Sequence, residues 1–308
     1  MKFMRLNFYA LVLLLFLYGN SYASITLHFK EEIDIGQPFF AIISSDKPFF
    51  NPSVRWMERD IPLHVLRWAA SYRAYALLGG AVNRVQAGTF PLVFGVVVNE
   101  GEAPIFRSVN VKLNARQYPE TRLNVPHRMV HPPQSELRRI ENEARLTARA
   151  RATMTQRKWW QTIAVPPLDN LVVTSSYGHR RIYNDVPRGY HSGVDLRAAV
   201  GTRVRSLYPG YVILTGDHYF AGRSVYIDSG NGVVAAYLHL DSIAVKEGDF
   251  VNAGDVVGRS GNTGRVTGPH LHLSVFLAEQ SIDPMGLLAP EFPQSVRLLQ
   301  QVSLIENS

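Results

Sequence analysis

Between Ile25 and about Val125 the apolar residues recur every second position or in short runs. "ITLHFK" at Ile25–Lys30 alternates, as do Val109, Val111 and Leu113 within "SVNVKLN"; "PFFAII" and "FPLVFGVVV" are brief apolar runs. Breaks fall at Gly36-Gln37-Pro38, Ala87-Gly88-Thr89 and Gly101. Short strands at this spacing predict a small β-sandwich over residues 24–134. Within it, "RWAASYRAYALLGG" fits a helical turn or an irregular strand pair equally well. After Pro132-Pro133 the period changes. Ser135 to about Gln161 has strong helix formers, neither Gly nor Pro, and Glu136 near its start, where the helix dipole favours an anion. This predicts a helical linker over 135–168, closed by "VPPLDN". Residues 169–287 return to β pattern ("RSVYID", "GVVAAYLHL", "HLHLSVF") with the turns "YPGYV", "DSGNG" and "SGNTG", and 288–308 read as a short tail.

The N-terminus carries a different signal. Lys2 and Arg5 precede the apolar run "FYALVLLLFLY", and small residues Ser21 and Ala23 follow in "NSYAS". The run is short for a membrane span and suits a secretory signal over residues 1–23, cut after Ala23. Nothing later in the chain is long and apolar enough to span a bilayer. The mature protein is therefore expected outside the cytoplasm, without a membrane span.

Composition narrows the chemistry. There is no cysteine among 308 residues. Disulfides, a cysteine zinc site and a cysteine nucleophile are excluded. Loss of Lys2 and Arg5 with the signal lowers the net charge by two, from +7 to +5. That surplus suits a polyanionic envelope. No basic stripe interleaves with aromatics, so nucleic acid is not an expected partner. Most of the surplus falls in the helical stretch, where a solvated face is the simplest reading.

Six of ten histidines lie in the last part of the chain: His179, His191, His218, His239, His270 and His272. In "GPHLHL" a strand would send Leu271 and Leu273 to one face and His270 and His272 together to the other. Paired imidazoles suit a metal site or a proton-transfer pair. In "GYHSGVDLRA", His191 and Asp195 stand four apart around Gly193, which permits a tight turn, so both side chains can converge on one cation. With a second histidine they make a three-ligand zinc set that leaves a coordination position open, as catalytic zinc sites do. His179 and His218 fall outside this grouping and read as ordinary histidines.

"SSYGHRR", "HSGVDLRA", "YLHL" and "SGNTGRVTGPHLHLSV", in this order and spacing, resemble the lysostaphin/LytM-type zinc endopeptidases of bacterial cell walls, over about the last 140 residues. "VKEGDFVNAGDVVGRSGNTG" also resembles the β-hammerhead repeats of biotinyl and lipoyl domains, in keeping with the duplicated hybrid motif of this peptidase fold. The resemblance implies His191, Asp195 and His272 as zinc ligands and His239 and His270 as the catalytic pair. Arg180 matches a Gly-x-Arg element and would be structural or touch substrate; Tyr190 or Tyr183 would supply an oxyanion donor. "GQPFFAII", "YALLGG", "AGTFPLVF" and "VNVKLNARQYPETRLNV" are similar to the immunoglobulin-like domain that precedes such peptidases in some exported Gram-negative proteins. The implied function is zinc-dependent hydrolysis of peptide cross-links in peptidoglycan by a monomer in the periplasm or cell envelope. In a Gram-negative host the bond would join D-alanine to diaminopimelate. The alternative is a LytM-type regulator that activates cell-wall amidases; degenerate members of that kind lack ligands, whereas all five residues are present here.

Overall fold

A computed structural model describes residues 9–14, 25–68, 70–160, 163–289 and 292. Most of the expected export segment lies outside the described residues; Tyr9–Leu14 is seen as a strand antiparallel to Ile25–Lys30. Of the expected tail, only residues 288, 289 and 292 are described.

The N-terminal region is a sandwich of two five-stranded sheets. One runs Tyr9–Leu14, Ile25–Lys30, Phe39–Ser45, Ser71–Leu78, Leu66–Trp68; the other runs Glu32–Asp34, Ile105–Asn114, Gly88–Val97, Phe50–Trp56, Arg59–Pro62. Alternation does the work predicted for it. Leu27, Ile43, Ala74, Ala76 and Leu78 from the first sheet meet Val54, Trp56, Leu92, Phe94, Val111 and Leu113 from the second in one core. The Phe39 and Trp56 rings meet edge to face at 5.3 Å across it. The ambiguous "RWAASYRAYALLGG" forms antiparallel strands, Leu66–Trp68 on Ser71–Leu78.

The helix is shorter than its pattern predicts. It runs Gln134–Arg151 and is capped by Ala152. Thr153 and Thr155 are β-branched and weak helix formers. Beyond them the backbone pairs with the second domain instead: Asn231 donates to Thr155 O at 2.8 Å and Trp159 to Ser229 O at 3.0 Å. Trp160, only 3% exposed, is buried in the core of that domain. Tertiary burial of one indole outweighs a local helical preference. Arg138, Arg139, Arg145 and Arg149 on the helix are exposed, as a solvated face requires.

The C-terminal region is built on a ten-stranded sheet whose main path is Val173–Ser175, Val194–Arg197, His270–Leu277, Val233–Ile243, Gly222–Asp228, Gly210–His218, Phe250–Val251. A separate three-stranded sheet, Glu120–Leu123, Arg180–Tyr183, Val186–Tyr190, joins the end of the sandwich region to one side of the groove described below. The two regions share buried polar ties: Tyr177 OH donates to Ser281 O at 2.8 Å and accepts from Val82 N at 3.0 Å, and Ala81 N donates to Gln280 Oε1 at 3.1 Å.

Candidate active site

The pairing of strands brings the site together. Val194–Arg197 runs antiparallel to His270–Leu277 with Asp195 opposite His272 and Arg197 opposite His270. Leu271 and Leu273 are fully buried on the other face. The strand alternation read from "GPHLHL" thus sets both imidazoles beside Asp195. His191 enters from the turn before Asp195, and that turn lies hard against the His272 strand. A Cβ on Gly193 would sit 2.2 Å from Leu273 O and 2.8 Å from His272 Nε2. Glycine is needed there for room rather than for an unusual backbone angle.

His239 arrives by a different device. It lies where Val233–Ile243 stops pairing with His270–Leu277 and starts pairing with Val256–Ser260, at a register shift against Gly222–Asp228. Its φ is +62°, a left-handed conformation that a side-chain-bearing residue adopts at a cost. Its N–H donates to Ala221 O at 2.9 Å, off the ladder. The bulge re-aims the imidazole to 5.0 Å from the His270 ring and 5.9 Å from the His272 ring.

Hydrogen-bond partners fix the proton positions. His191 Nδ1 donates to Ser176 O at 2.8 Å, leaving Nε2 as a lone pair. His272 Nε2 meets Ser274 Oγ at 2.8 Å, leaving Nδ1 as its inward atom. These two nitrogens are 3.0 Å apart, and each approaches Asp195 Oδ1, at 3.0 and 2.8 Å. The second Asp195 oxygen accepts from Arg181 Nη2 at 2.7 Å. Burial alone would raise the Asp195 carboxyl, but His191 and His272 more than reverse this and hold it well below the usual carboxylate range. Burial lowers His272, against the opposing pull of Asp195. Two imidazole nitrogens and a carboxylate oxygen converge within 4.8 Å of one another, and two nitrogens plus one carboxylate oxygen match zinc chemistry.

The other two histidines present lone pairs as well. His239 Nδ1 donates to Thr263 O at 2.9 Å and His270 Nδ1 to Gly268 O at 2.8 Å, so each turns Nε2 inward. Burial above all pushes His239 down to about 3. His270 Nε2 lies 3.6 Å from Asp195 Oδ1.

All five residues line one groove of about 640 Å³, whose walls include Thr121, Tyr183, Arg188, Tyr190, Phe220 and Arg265. Tyr190 is 43% exposed at its edge. Arg180 is not on the groove. It is exposed, 4.0 Å from Glu120. Its neighbour Arg181 is the buried one and grips Asp195; a register shift between Arg180 and Ile182 breaks the alternation that would have told them apart. His179 lines the groove and bonds Thr121 Oγ1 through Nδ1 at 2.7 Å, while His218 is buried away from it against Ser224 Oγ at 2.7 Å.

The same region is recognisable by comparison. Residues 189–284 match the profile of peptidase family M23. The chain is 40% identical over 119 residues to the peptidoglycan DD-endopeptidase ShyA of Vibrio cholerae, an alignment covering 38% of this chain and 28% of ShyA. It is 34% identical over 126 residues to the DD-carboxypeptidase/endopeptidase Mpg of Neisseria meningitidis, covering 41% of this chain and 29% of Mpg. The chain thus spans less than a third of the length of either relative. A Pseudomonas aeruginosa crystal structure described under peptidase M23 superposes with a TM-score of 0.60 at 25% identity, over 83% of this chain and 94% of that one. Residues 189–284 of this chain are therefore a peptidase family M23 domain.

Proposed function

We propose that this chain is an exported zinc-dependent endopeptidase that hydrolyses peptide cross-links in peptidoglycan, acting in the periplasm as a monomer. The observation that carries the reading is the convergence of two imidazole nitrogens and one carboxylate oxygen, with two further imidazoles whose Nδ1 atoms are bound to carbonyls beside them, in an open groove. The domain boundaries read from the sequence are retained in this proposal: residues 24–134 an immunoglobulin-like domain, 135–168 a linker, 169–287 the peptidase. A non-catalytic regulator would have no use for five aligned metal-binding and proton-transfer groups.

His191, Asp195 and His272 would hold the zinc, which when bound polarises a scissile carbonyl and acidifies a water. The rest is done by the chain. Arg181 fixes the Asp195 carboxylate, and Ser176 and Ser274 fix the two imidazole orientations. His239 and His270 orient the attacking water through their Nε2 atoms. They take its proton and return it to the leaving amine as the C–N bond breaks and the C–O bond forms. Tyr190, at the groove edge, is placed to contact substrate.

The test is digestion of purified sacculi by residues 24–308, followed by mass analysis of the muropeptides. Conversion of cross-linked dimers to monomers, abolished by a chelator and by His272→Ala, is expected. Intact dimers at every enzyme concentration, with the isolated peptidase domain as well as the longer chain, would rule the activity out.

A further inference from the structure

Arg265 has no role in the chemistry above, yet it is held with unusual care. It sits in the loop that also supplies Thr263 O to His239, five residues before His270. That loop is pressed onto the Phe220–Gly222 turn. A Cβ on Gly264 would fall 2.4 Å from Gly222 N and 2.5 Å from Phe220 O, and Arg265 N donates to Phe220 O at 2.8 Å. The guanidinium carbon lies 4.5 Å from the Tyr183 ring centroid and 4.6 Å from that of Phe220. Both rings line the groove with it.

Two aromatic rings thus hold the guanidinium, which also hydrogen-bonds the Tyr183 side chain and lines the groove. The charged groups that act on Arg265 are all of its own sign or phenolic: Tyr183, Arg188 and Arg181, with no carboxylate. Arg181 is itself matched by Asp195, and Arg188 reaches Val130 O. Asp195 is the one carboxylate lining the groove among the described residues, and it is already paired. A half-buried guanidinium held rigid, stripped of part of its water and given no counter-ion is a ready receptor for an anion from outside.

Resting on the endopeptidase reading, we propose that Arg265 is a specificity residue that binds a free carboxylate of the substrate, the one carried by the carbon attached to the scissile nitrogen. A peptide bond between two D-centres ending in, or branching at, a free acid has that group. An amidated or glycine-bridged cross-link does not present it.

The experiment compares cross-linked muropeptide dimers whose diaminopimelate carboxylate beside the scissile bond is free or amidated. The enzymes are the wild-type chain, Arg265→Gln and Arg265→Lys. A charge-assisted hydrogen bond predicts that the wild type favours the free acid by about 10- to 100-fold in kcat/KM. Arg265→Gln should lose that preference through the acid substrate alone, and Arg265→Lys should recover part of it. Equal rates of the wild type on acid and amide would overturn the proposal without any appeal to a variant's folding. So would an equal loss by Arg265→Gln on both substrates, which is the signature of a merely structural clamp. If the wild type cleaves neither dimer, the endopeptidase reading fails. Calorimetry of the zinc-loaded chain with N-acetyl-D-alanyl-D-alanine and its amide then decides on Arg265 alone: tighter binding of the acid, lost in Arg265→Gln, supports the proposal, and equal or undetectable binding of both refutes it.

Discussion

Asp195 is held from two sides: one oxygen faces the His191 and His272 nitrogens and the other takes the Arg181 guanidinium at 2.7 Å. That second tie holds the carboxylate in its orientation. Arg181→Gln is therefore expected to weaken zinc binding by about 10- to 100-fold, measured by competition with a chromogenic chelator, with the fold intact by circular dichroism. His239 gives a second test at the same scale. Its left-handed φ of +62° is strained for any residue with a Cβ. His239→Gly should be more stable than His239→Ala by about 1 kcal/mol in urea unfolding, although both lose the imidazole. How much of this was legible in the sequence depended on periodicity. His270 and His272 follow a strict period of two, so their shared face could be read directly. Arg181 could not be told from Arg180, because the strand slips register between Arg180 and Ile182. Nor does "YLHL" disclose that His239 sits on a bulge, since its reason is the change of partner strand.

At the scale of elements, the site is made by close approach. The turn holding His191 and Asp195 can lie on the His272 strand only because Gly193 has no side chain. Gly193→Ala would drive a methyl group into Leu273 O and Ser274 Oγ. Overpacking of this kind is expected to cost about 1–3 kcal/mol and to displace the ligands, read as a lowered melting temperature together with reduced zinc affinity. The sequence suggested a tight turn at this glycine; the contact that requires it comes from a strand some 80 residues away and has no local signature. The helix shows the same limit from the other direction. Its start after Pro133 was readable, but its end at Arg151 was not, because the burial of Trp160 against the second domain decides where the chain leaves the helix.

Across the whole molecule, the sandwich and the peptidase domain are joined by a buried seam. Tyr177 OH spans it, and Tyr177→Phe leaves Val82 N and Ser281 O without that partner, at an expected cost of about 1–3 kcal/mol in unfolding free energy. The same seam holds Lys158, whose Nζ lies 3.2 Å from the Tyr75 ring centroid and has no hydrogen-bond partner among the described residues. Burial lowers this lysine to about 7 from its ordinary 10.5. The unfolded chain then binds the proton that the folded chain has released between those two pH values, so this group makes stability rise with pH across that window. Lys158→Met should flatten the rise, measured by urea unfolding from pH 6.5 to 10. An unchanged slope would show that the cation is retained on the aromatic rings.

The central claim is that His191, Asp195 and His272 form one metal site on which hydrolysis depends. Zinc titrated into metal-free protein, with bound zinc and muropeptide cleavage followed in the same samples, tests it most directly. One zinc per chain is expected, with activity rising in step with occupancy and no binding at this stoichiometry in Asp195→Ala. Full activity in metal-free protein, or unchanged zinc binding in Asp195→Ala, would contradict it.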